Sequence, residues 1–259
     1  MNDLLKIKEL LDKKYLEYNN ISFIKDDPVQ IPHLFSKKED IEISAFLTSS
    51  ISWGNRLSII NNSRKLMNYM DNSPYDFIQN YSSSDLRRFE GFVHRTFNNI
   101  DCIYFLRSLK NIYKNYLGLE EVFMNGFNKS DNIYGAIEHF AEIFLLLEHE
   151  KRVKRHIPNV IAGSAAKRIN MFLRWMIRYD EQGVDFGIWK GISKSKLMLP
   201  LDVHTANTAR KLGILRRKQN DWKAVEEVTS ILRLFDYNDP VKYDFALFGI
   251  GRYETPIIL

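Results

Sequence analysis

Helical periodicity is the feature of this sequence that most restricts its fold. Within 101–116 the large apolar residues recur every three or four positions and so share one face of an amphipathic helix: Ile103, Leu106, Leu109, Ile112 and Tyr113. The stretches 131–147 and 222–235 repeat this pattern. No segment alternates apolar and polar residues for long, and no dipeptide typical of a tight hairpin turn is present. The pattern therefore predicts an all-α fold.

Prolines, glycines and capping residues set the expected helix boundaries. Pro28 and Pro32 interrupt regular structure after the first helix, and Trp53-Gly54-Asn55 separates two helices within 39–70. A turn at 82–85 is expected to precede a helix over 86–97. The remaining predicted helices are 1–19, 74–81, 101–116, 131–147, 165–179, 202–213, 222–235 and 241–248.

Composition is that of a globular protein, with 259 residues of which 45% are hydrophobic and 27% are charged. No apolar run approaches the roughly 20 residues needed to span a bilayer, and the charged stretch 1–16 does not resemble a signal peptide. We therefore expect a cytoplasmic protein with no membrane partner. The single cysteine, Cys102, excludes an intrachain disulfide and a Cys-ligated metal site. The sequence contains no residue spacing typical of other metal ligands, and no motif predicts a cofactor.

Positive charge is concentrated in the carboxyl-terminal half. Lys and Arg number 37 against 32 Asp and Glu, which gives a net charge of +5. One dense group of cations contains Lys151, Arg152, Lys154, Arg155, Lys167, Arg168, Arg174 and Arg178. Basic surfaces attract phosphate backbones or acidic lipids. The distribution favours a polyanionic partner, although a solvated basic helix face is the simpler alternative.

Two polar residues of this basic half stand at predicted helix starts. Lys167 follows the flexible turn Gly163-Ser164. Asp202, in Pro-Leu-Asp-Val-His, is placed to cap a helix, because its carboxylate can accept bonds from the free N–H groups of the first turn. An ordinary solvated lysine and a common N-cap would give the same pattern.

The segments around Lys167 and Asp202 resemble those of the helix–hairpin–helix DNA glycosylase superfamily. Its members carry a lysine at the start of the hairpin's second helix and an aspartate in a Val/Leu-Asp-x-His-type segment. The longer interval between the two residues is similar to that of the archaeal 8-oxoguanine glycosylases. The usual Leu-Pro-Gly-x-Gly hairpin is missing, and Pro158 and Gly163 are its nearest counterparts.

The chain also resembles a family of conserved hypothetical bacterial proteins. Three stretches carry this second resemblance: Trp53 to Arg56, Phe92 to Phe97 and the segment around Asp202.

The glycosylase resemblance implies a fold and an activity. The fold would be a two-lobed helical bundle of helix–hairpin–helix glycosylase type, formed as a single unit over 1–259. Its lysine-bearing hairpin would lie near 151–180 and its aspartate-bearing region near 199–215. The activity would be base excision, with AP-lyase cleavage, of an oxidised purine such as 8-oxoguanine. The partner would be double-stranded DNA with a damaged base, bound by a monomer.

Residue roles follow from the same resemblance. Lys167 would attack the sugar C1′ as a neutral amine, and Asp202 would stabilise the oxocarbenium charge. The pocket for the flipped base would contain Trp53, Asp244 and Phe248. DNA phosphates would be contacted by Gly163, Ser164, Arg168 and His204.

Simpler roles remain open for several of these residues. Trp53 and Phe248 could be plain core aromatics, and His204 a satisfied core histidine. His94-Arg95 could be a buried polar pair or a second backbone contact.

Two other functions fit the sequence. One is a non-catalytic nucleic-acid-binding protein that retains the glycosylase fold and its basic face. The other is a small-molecule enzyme on a helical bundle, which the lack of a phosphate loop or a Ser/Cys–His signature disfavours.

Overall fold

The computed structural model describes residues 2–254 and confirms the all-α prediction. Its α-helices are α1 (Asn2–Tyr18), α2 (Ser22–Asp26), α3 (Lys38–Ser50), α4 (Arg56–Tyr69), α5 (Pro74–Asn80), α6 (Asn99–Asn115), α7 (Leu119–Ser130), α8 (Ile133–Phe144), α9 (Lys167–Ile177), α10 (Val203–Lys211), α11 (Trp222–Phe235) and α12 (Tyr243–Tyr253). Short 3-10 turns cover Pro28–Gln30, Pro32–Leu34, Asp85–Phe89, Lys151–His156, Lys194–Lys196 and Pro240–Lys242. None of the helices within 2–254 is both long and apolar enough to cross a membrane.

The chain divides into two compact units. One, the discontinuous unit, is formed by Met1–Lys25 together with Val160–Leu259. The other, the inserted unit, is formed by Asp26–Asn159 and contains α3 to α8. The first helix therefore belongs with the carboxyl-terminal helices, and the inserted unit is a single continuous stretch.

Close helix packing defines the discontinuous unit. Helix α12 lies against α1 through Gly249, where any added Cβ would collide with the ring of Tyr18. It approaches α10 through Gly251, where a Cβ would lie 3.0 Å from the carbonyl oxygen of His204. Because these glycines remove side-chain bulk, α12 lies close enough to α10 for side chains of the two helices to share a site.

Aromatic side chains form the core of the inserted unit. Phe105 and Phe144 meet with ring centroids 4.8 Å apart, and Phe123 stacks on Phe140 at 4.5 Å. These rings come from α6, α7 and α8. Helical spacing predicted α6 and α8, and both predictions are confirmed, whereas α7 was not predicted.

The predicted helix over 86–97 is wrong. A 3-10 turn, Asp85–Phe89, is followed by a small antiparallel hairpin of β1 (Val93–His94) and β2 (Phe97–Asn98). Arg95 at the turn has a left-handed backbone with φ of 54°, which ends any helical path. Residues 92–95 alternate between buried and exposed, a period-two pattern too short to stand out in the sequence.

Candidate active site

Helix α9 carries a polar stripe on its buried side. Lys167, Asn170 and Arg174 are spaced by three and four positions and therefore share one helix face. Lys167 is half-buried, whereas Asn170 is only 1% exposed and Arg174 only 4%. The Asn170 Oδ1 atom has no hydrogen-bond partner within residues 2–254. A buried acceptor thus lies one turn from the lysine.

The start of α9 agrees with the sequence prediction. The helix begins at Lys167, because Ala166 adopts a left-handed conformation with φ of 49°. In the turn before it, the Ser164 Oγ accepts a bond from the Ala166 N–H at 3.2 Å. The Gly163 carbonyl accepts from the Trp222 N–H at 3.0 Å, which ties the turn to the start of α11. Among residues 2–254, and apart from the two chain neighbours of Gly163, no atom lies within 4 Å of the position that its Cβ would take, so this side of the turn is open.

Asp202 caps α10, as predicted. Its Oδ1 accepts a hydrogen bond from the Thr205 N–H at 2.8 Å, from an extended backbone. The side chain is half-buried, and among residues 2–254 its Oδ2 has no hydrogen-bond partner. One carboxylate oxygen thus stabilises the helix start, while the other is available for chemistry.

Asp244 on α12 is the most perturbed carboxyl group of this region. It is 7% exposed and accepts a hydrogen bond from the Arg174 Nη1. Burial raises the pKa of Asp244 to about 6, and the negative charge of Asp202 adds to the rise. The positive charges of Arg174 and Lys167 oppose it. Lys167 and Asp202 therefore both lie within electrostatic reach of this carboxyl.

A buried ion network supports Arg174. Asp185 accepts bonds from Arg174 Nε at 3.2 Å and from Arg178 Nη1 at 2.9 Å. Asp239 accepts from Arg178 Nε through both carboxylate oxygens, each at 3.1 Å. These carboxylates raise the pKa of the Arg178 guanidinium, although its burial acts in the opposite direction. The network fixes the polar face of α9 against two connecting segments.

The role of Asp185 in this network was missed in the sequence. The available signal was the pair Arg174 and Arg178, four residues apart at the end of a segment rich in large apolar residues. Buried arginines need carboxylate partners, because a buried charge without a partner is costly. The sequence did not indicate which aspartates would supply them.

Other predicted site residues lie on the same elements. Phe248 follows Asp244 by one turn on α12, and its ring meets the exposed His204 edge-on, with centroids 6.4 Å apart. Arg168 is half-buried next to Lys167, and burial lowers its pKa to about 10. With Gly163, Ser164 and Asp202, these residues all belong to the discontinuous unit.

Trp53 belongs to the inserted unit. Its half-buried ring stacks on His156 with centroids 5.9 Å apart and meets His94 edge-on at 5.1 Å. Its neighbours within that unit are therefore imidazoles, and it is a member of a second polar and aromatic cluster.

The chemical capacity of the discontinuous unit follows from these groups. It combines a half-buried amine, a carboxylate oxygen without a partner and a buried carboxyl that ionises near neutral pH. Such a set can support nucleophilic attack and proton transfer. Within residues 2–254, no cluster of three or more His, Cys, Asp or Glu side chains is arranged to hold a metal ion.

Comparison with known proteins gives one family. No curated protein and no solved structure matches the chain. A family model described as "Protein of unknown function (DUF2400)" matches residues 27–253, which agrees with the resemblance to conserved hypothetical proteins. Because this match covers most of the sequence, the chain belongs to the DUF2400 family.

Proposed function

We propose that the protein is a DNA glycosylase with AP-lyase activity that excises an oxidised purine, such as 8-oxoguanine, from duplex DNA. The main support is the grouping of Lys167, Asp202 and Asp244 from three separate helices around one buried carboxyl. The resemblance of the Lys167 and Asp202 segments to helix–hairpin–helix glycosylases adds to it. An amine nucleophile with a carboxylate beside the sugar can support Schiff-base excision.

The proposed reaction begins at Lys167. Its ammonium gives a proton to the Oδ2 of Asp202, and the neutral amine attacks C1′ of the damaged nucleotide. The electron pair of the C1′–N bond leaves with the base, which takes the proton held by Asp202. The Lys167 nitrogen, now cationic, returns a proton to the Asp202 carboxylate, and this proton passes to O4′ as the nitrogen lone pair opens the sugar ring. The product is a protonated Schiff base between Lys167 and C1′. Whenever it is ionised, the carboxylate of Asp202 stabilises positive charge on the sugar.

Asp244 and Phe248 would recognise the extruded base. They lie four residues apart and so on the same side of α12. Phe248 offers an apolar ring to stack on, and the carboxyl of Asp244 can accept or donate a hydrogen bond according to its protonation. DNA phosphates would be held by the turn at Gly163-Ser164, by Arg168 and by His204.

Borohydride trapping tests this proposal directly. Duplex DNA with 8-oxoguanine or an abasic site is incubated with the full chain and reduced, and a covalent adduct is sought. We expect an adduct with the wild type and none with Lys167→Gln, because only a primary amine forms a Schiff base. Asp202→Asn should reduce trapping by about 10²-fold. The matched control is Lys223→Gln, which alters an exposed lysine of α11 in the same unit and should trap normally.

Two results would overturn the proposal. One is no adduct from the wild type on either substrate. The other is an adduct that persists in Lys167→Gln. Salt-sensitive DNA binding without any trapping would instead assign the non-catalytic binding function.

A further inference from the structure

Three segments of the inserted unit meet around Trp53. They are 53–57, the hairpin 93–98 and the 3-10 turn Lys151–His156. The Trp53 ring contacts His94 of the hairpin and His156 of the turn. Arg152 Nη2 donates to the carbonyl oxygen of Thr96 at 2.9 Å, which joins the turn to the hairpin tip. These contacts make the three segments one local structure.

A buried polar layer fixes this local structure. Asp101, with 0% exposure, accepts from Arg152 Nε at 3.2 Å and lies 3.3 Å from His156 Nε2. His94 is bonded at both ring nitrogens, to the Trp53 carbonyl oxygen at 3.1 Å and to Asn62 Nδ2 at 2.9 Å. Burial lowers the pKa of His94. These bonds join the hairpin, the 3-10 turn and the segment at Trp53 to one another.

Arg95 occupies the tip of the hairpin in an unfavourable backbone conformation. Its φ of 54° is uncommon for a residue other than Gly, Asn or Asp, and such strain often marks functional positions. Its side chain lies over Gly54, where a Cβ would be 2.6 Å from the Arg95 Nη1. Arg95 is an exposed residue, and its guanidinium has no carboxylate partner within residues 2–254. The fold thus presents an uncompensated positive charge at an exposed tip.

The hairpin and the 3-10 turn carry further exposed groups. Val93 is 60% exposed, and Lys151, Lys154 and Arg155 are exposed without carboxylate partners in the described chain. The acidic residues nearest in sequence to the basic turn, Glu148 and Glu150, are also exposed, as is Glu90 before the hairpin. We call the following set the hairpin surface: Trp53, Val93, Arg95, Lys151, Lys154 and Arg155.

We infer that the hairpin surface is a second DNA-binding surface, distinct from the candidate active site of Lys167, Asp202 and Asp244. The hairpin surface binds the phosphate backbone and inserts Arg95 into the minor groove. This inference rests on the proposed function for the identity of the polymer. Its physical basis is charge complementarity, because cations without partners attract phosphates and a narrow groove favours arginine. Trp53 supplies a half-exposed aromatic ring beside the groove-binding arginine.

Fluorescence anisotropy with the full chain tests the inference. The probe is a labelled duplex that contains a tetrahydrofuran abasic analogue, titrated at several salt concentrations. Arg95→Asn keeps a residue that tolerates the left-handed backbone but removes the charge. We expect it to weaken binding by about fivefold to tenfold and to lower the slope of log K against log salt by about one.

A double variant and a control complete the design. Lys154→Gln with Arg155→Gln should lower the salt slope by about two. Lys129→Gln, an exposed lysine of α7 in the same unit, should bind as the wild type does. Thermal unfolding should confirm that all variants fold.

The outcomes separate this inference from the proposed function. Suppose that Arg95→Asn and the double variant bind DNA with the affinity and salt slope of the wild type, and that the wild type still forms the Lys167-dependent borohydride adduct. This result would overturn the inference about the hairpin surface but not the proposed function. If Arg95→Asn and the double variant bind DNA more weakly and the wild type forms no borohydride adduct, the inference would be supported and the proposed chemistry overturned. Tighter binding to an RNA duplex of the same sequence, or no DNA binding by the wild type, would also overturn the inference.

Discussion

Asp244 shows how strongly the surroundings of a single residue change its chemistry. Its carboxyl group is buried on α12 beside the Arg174 guanidinium, with the charges of Asp202 and Lys167 in reach. Removal from water outweighs the attraction of the two cations, so the pKa rises to about 6. The group therefore changes charge within the range in which an enzyme of this proposed class would work.

Asp244→Asn should change the dependence of stability on pH. The folded pKa of about 6 exceeds the unfolded value, so folding favours the protonated form. Relative to the variant, the wild type should be most stable below pH ~4 and should lose roughly 2–3 kcal/mol as the pH rises past about 6. Urea unfolding between pH 4 and pH 8 would measure this difference. If the plots of unfolding free energy against pH were parallel for the wild type and Asp244→Asn, the raised pKa of Asp244 would be contradicted.

The two side chains proposed to carry out the reaction stand at helix starts. Lys167 is the first residue of α9, and Asp202 immediately precedes α10. Asp202 combines two tasks, because its Oδ1 caps the helix while its Oδ2 has no partner within residues 2–254. A loss of activity on mutation of Asp202 would therefore be ambiguous unless capping and charge were separated.

Two substitutions separate the tasks of Asp202. Asparagine is a good N-cap without charge, so Asp202→Asn should change the free energy of unfolding little. Asp202→Ala removes the cap and should lower that free energy by about 1 kcal/mol. Both should reduce borohydride trapping to a similar extent. If trapping followed stability, so that only Asp202→Ala lost activity, the carboxylate would serve the helix and not the reaction.

On the scale of the whole molecule, α1 completes the discontinuous unit. Tyr15 Oη donates to Asp180 at 2.9 Å and accepts from Arg178 Nη2 at 2.9 Å. Tyr243 Oη of α12 donates to Asp12 at 2.8 Å. The buried ion network behind the candidate active site thus depends on a helix from the other end of the sequence.

Deletion of residues 2–18 tests this dependence. It uncovers the α1-facing side of α12 and removes Tyr15 from the ion network, so the discontinuous unit should lose more than about 3 kcal/mol of stability. Hydrogen exchange should show lost protection in α9 and α12, while α6 and α8 of the inserted unit serve as the internal control. Retained protection in α9 would show that α1 is dispensable for the site.

Local features were predictable from the sequence because local interactions determine them. Apolar spacing predicted most of the long helices, although not α7, and turn and capping residues predicted the starts of α9 and α10 near Lys167 and Asp202. The hairpin at 93–98 was missed because strands of two residues are too short for a periodic signal.

By itself the sequence determined the all-α class, the starts of α9 and α10 and the family to which the chain belongs. Only the tertiary structure decided the division into two units, the pairing of Asp185 with both arginines and the membership of Trp53 and Asp244 in different units. It also brought Lys167 and Asp202 within reach of one buried carboxyl. The physical reason is that burial and charge pairing depend on side chains distant in sequence, whereas caps and helical periodicity depend on neighbours.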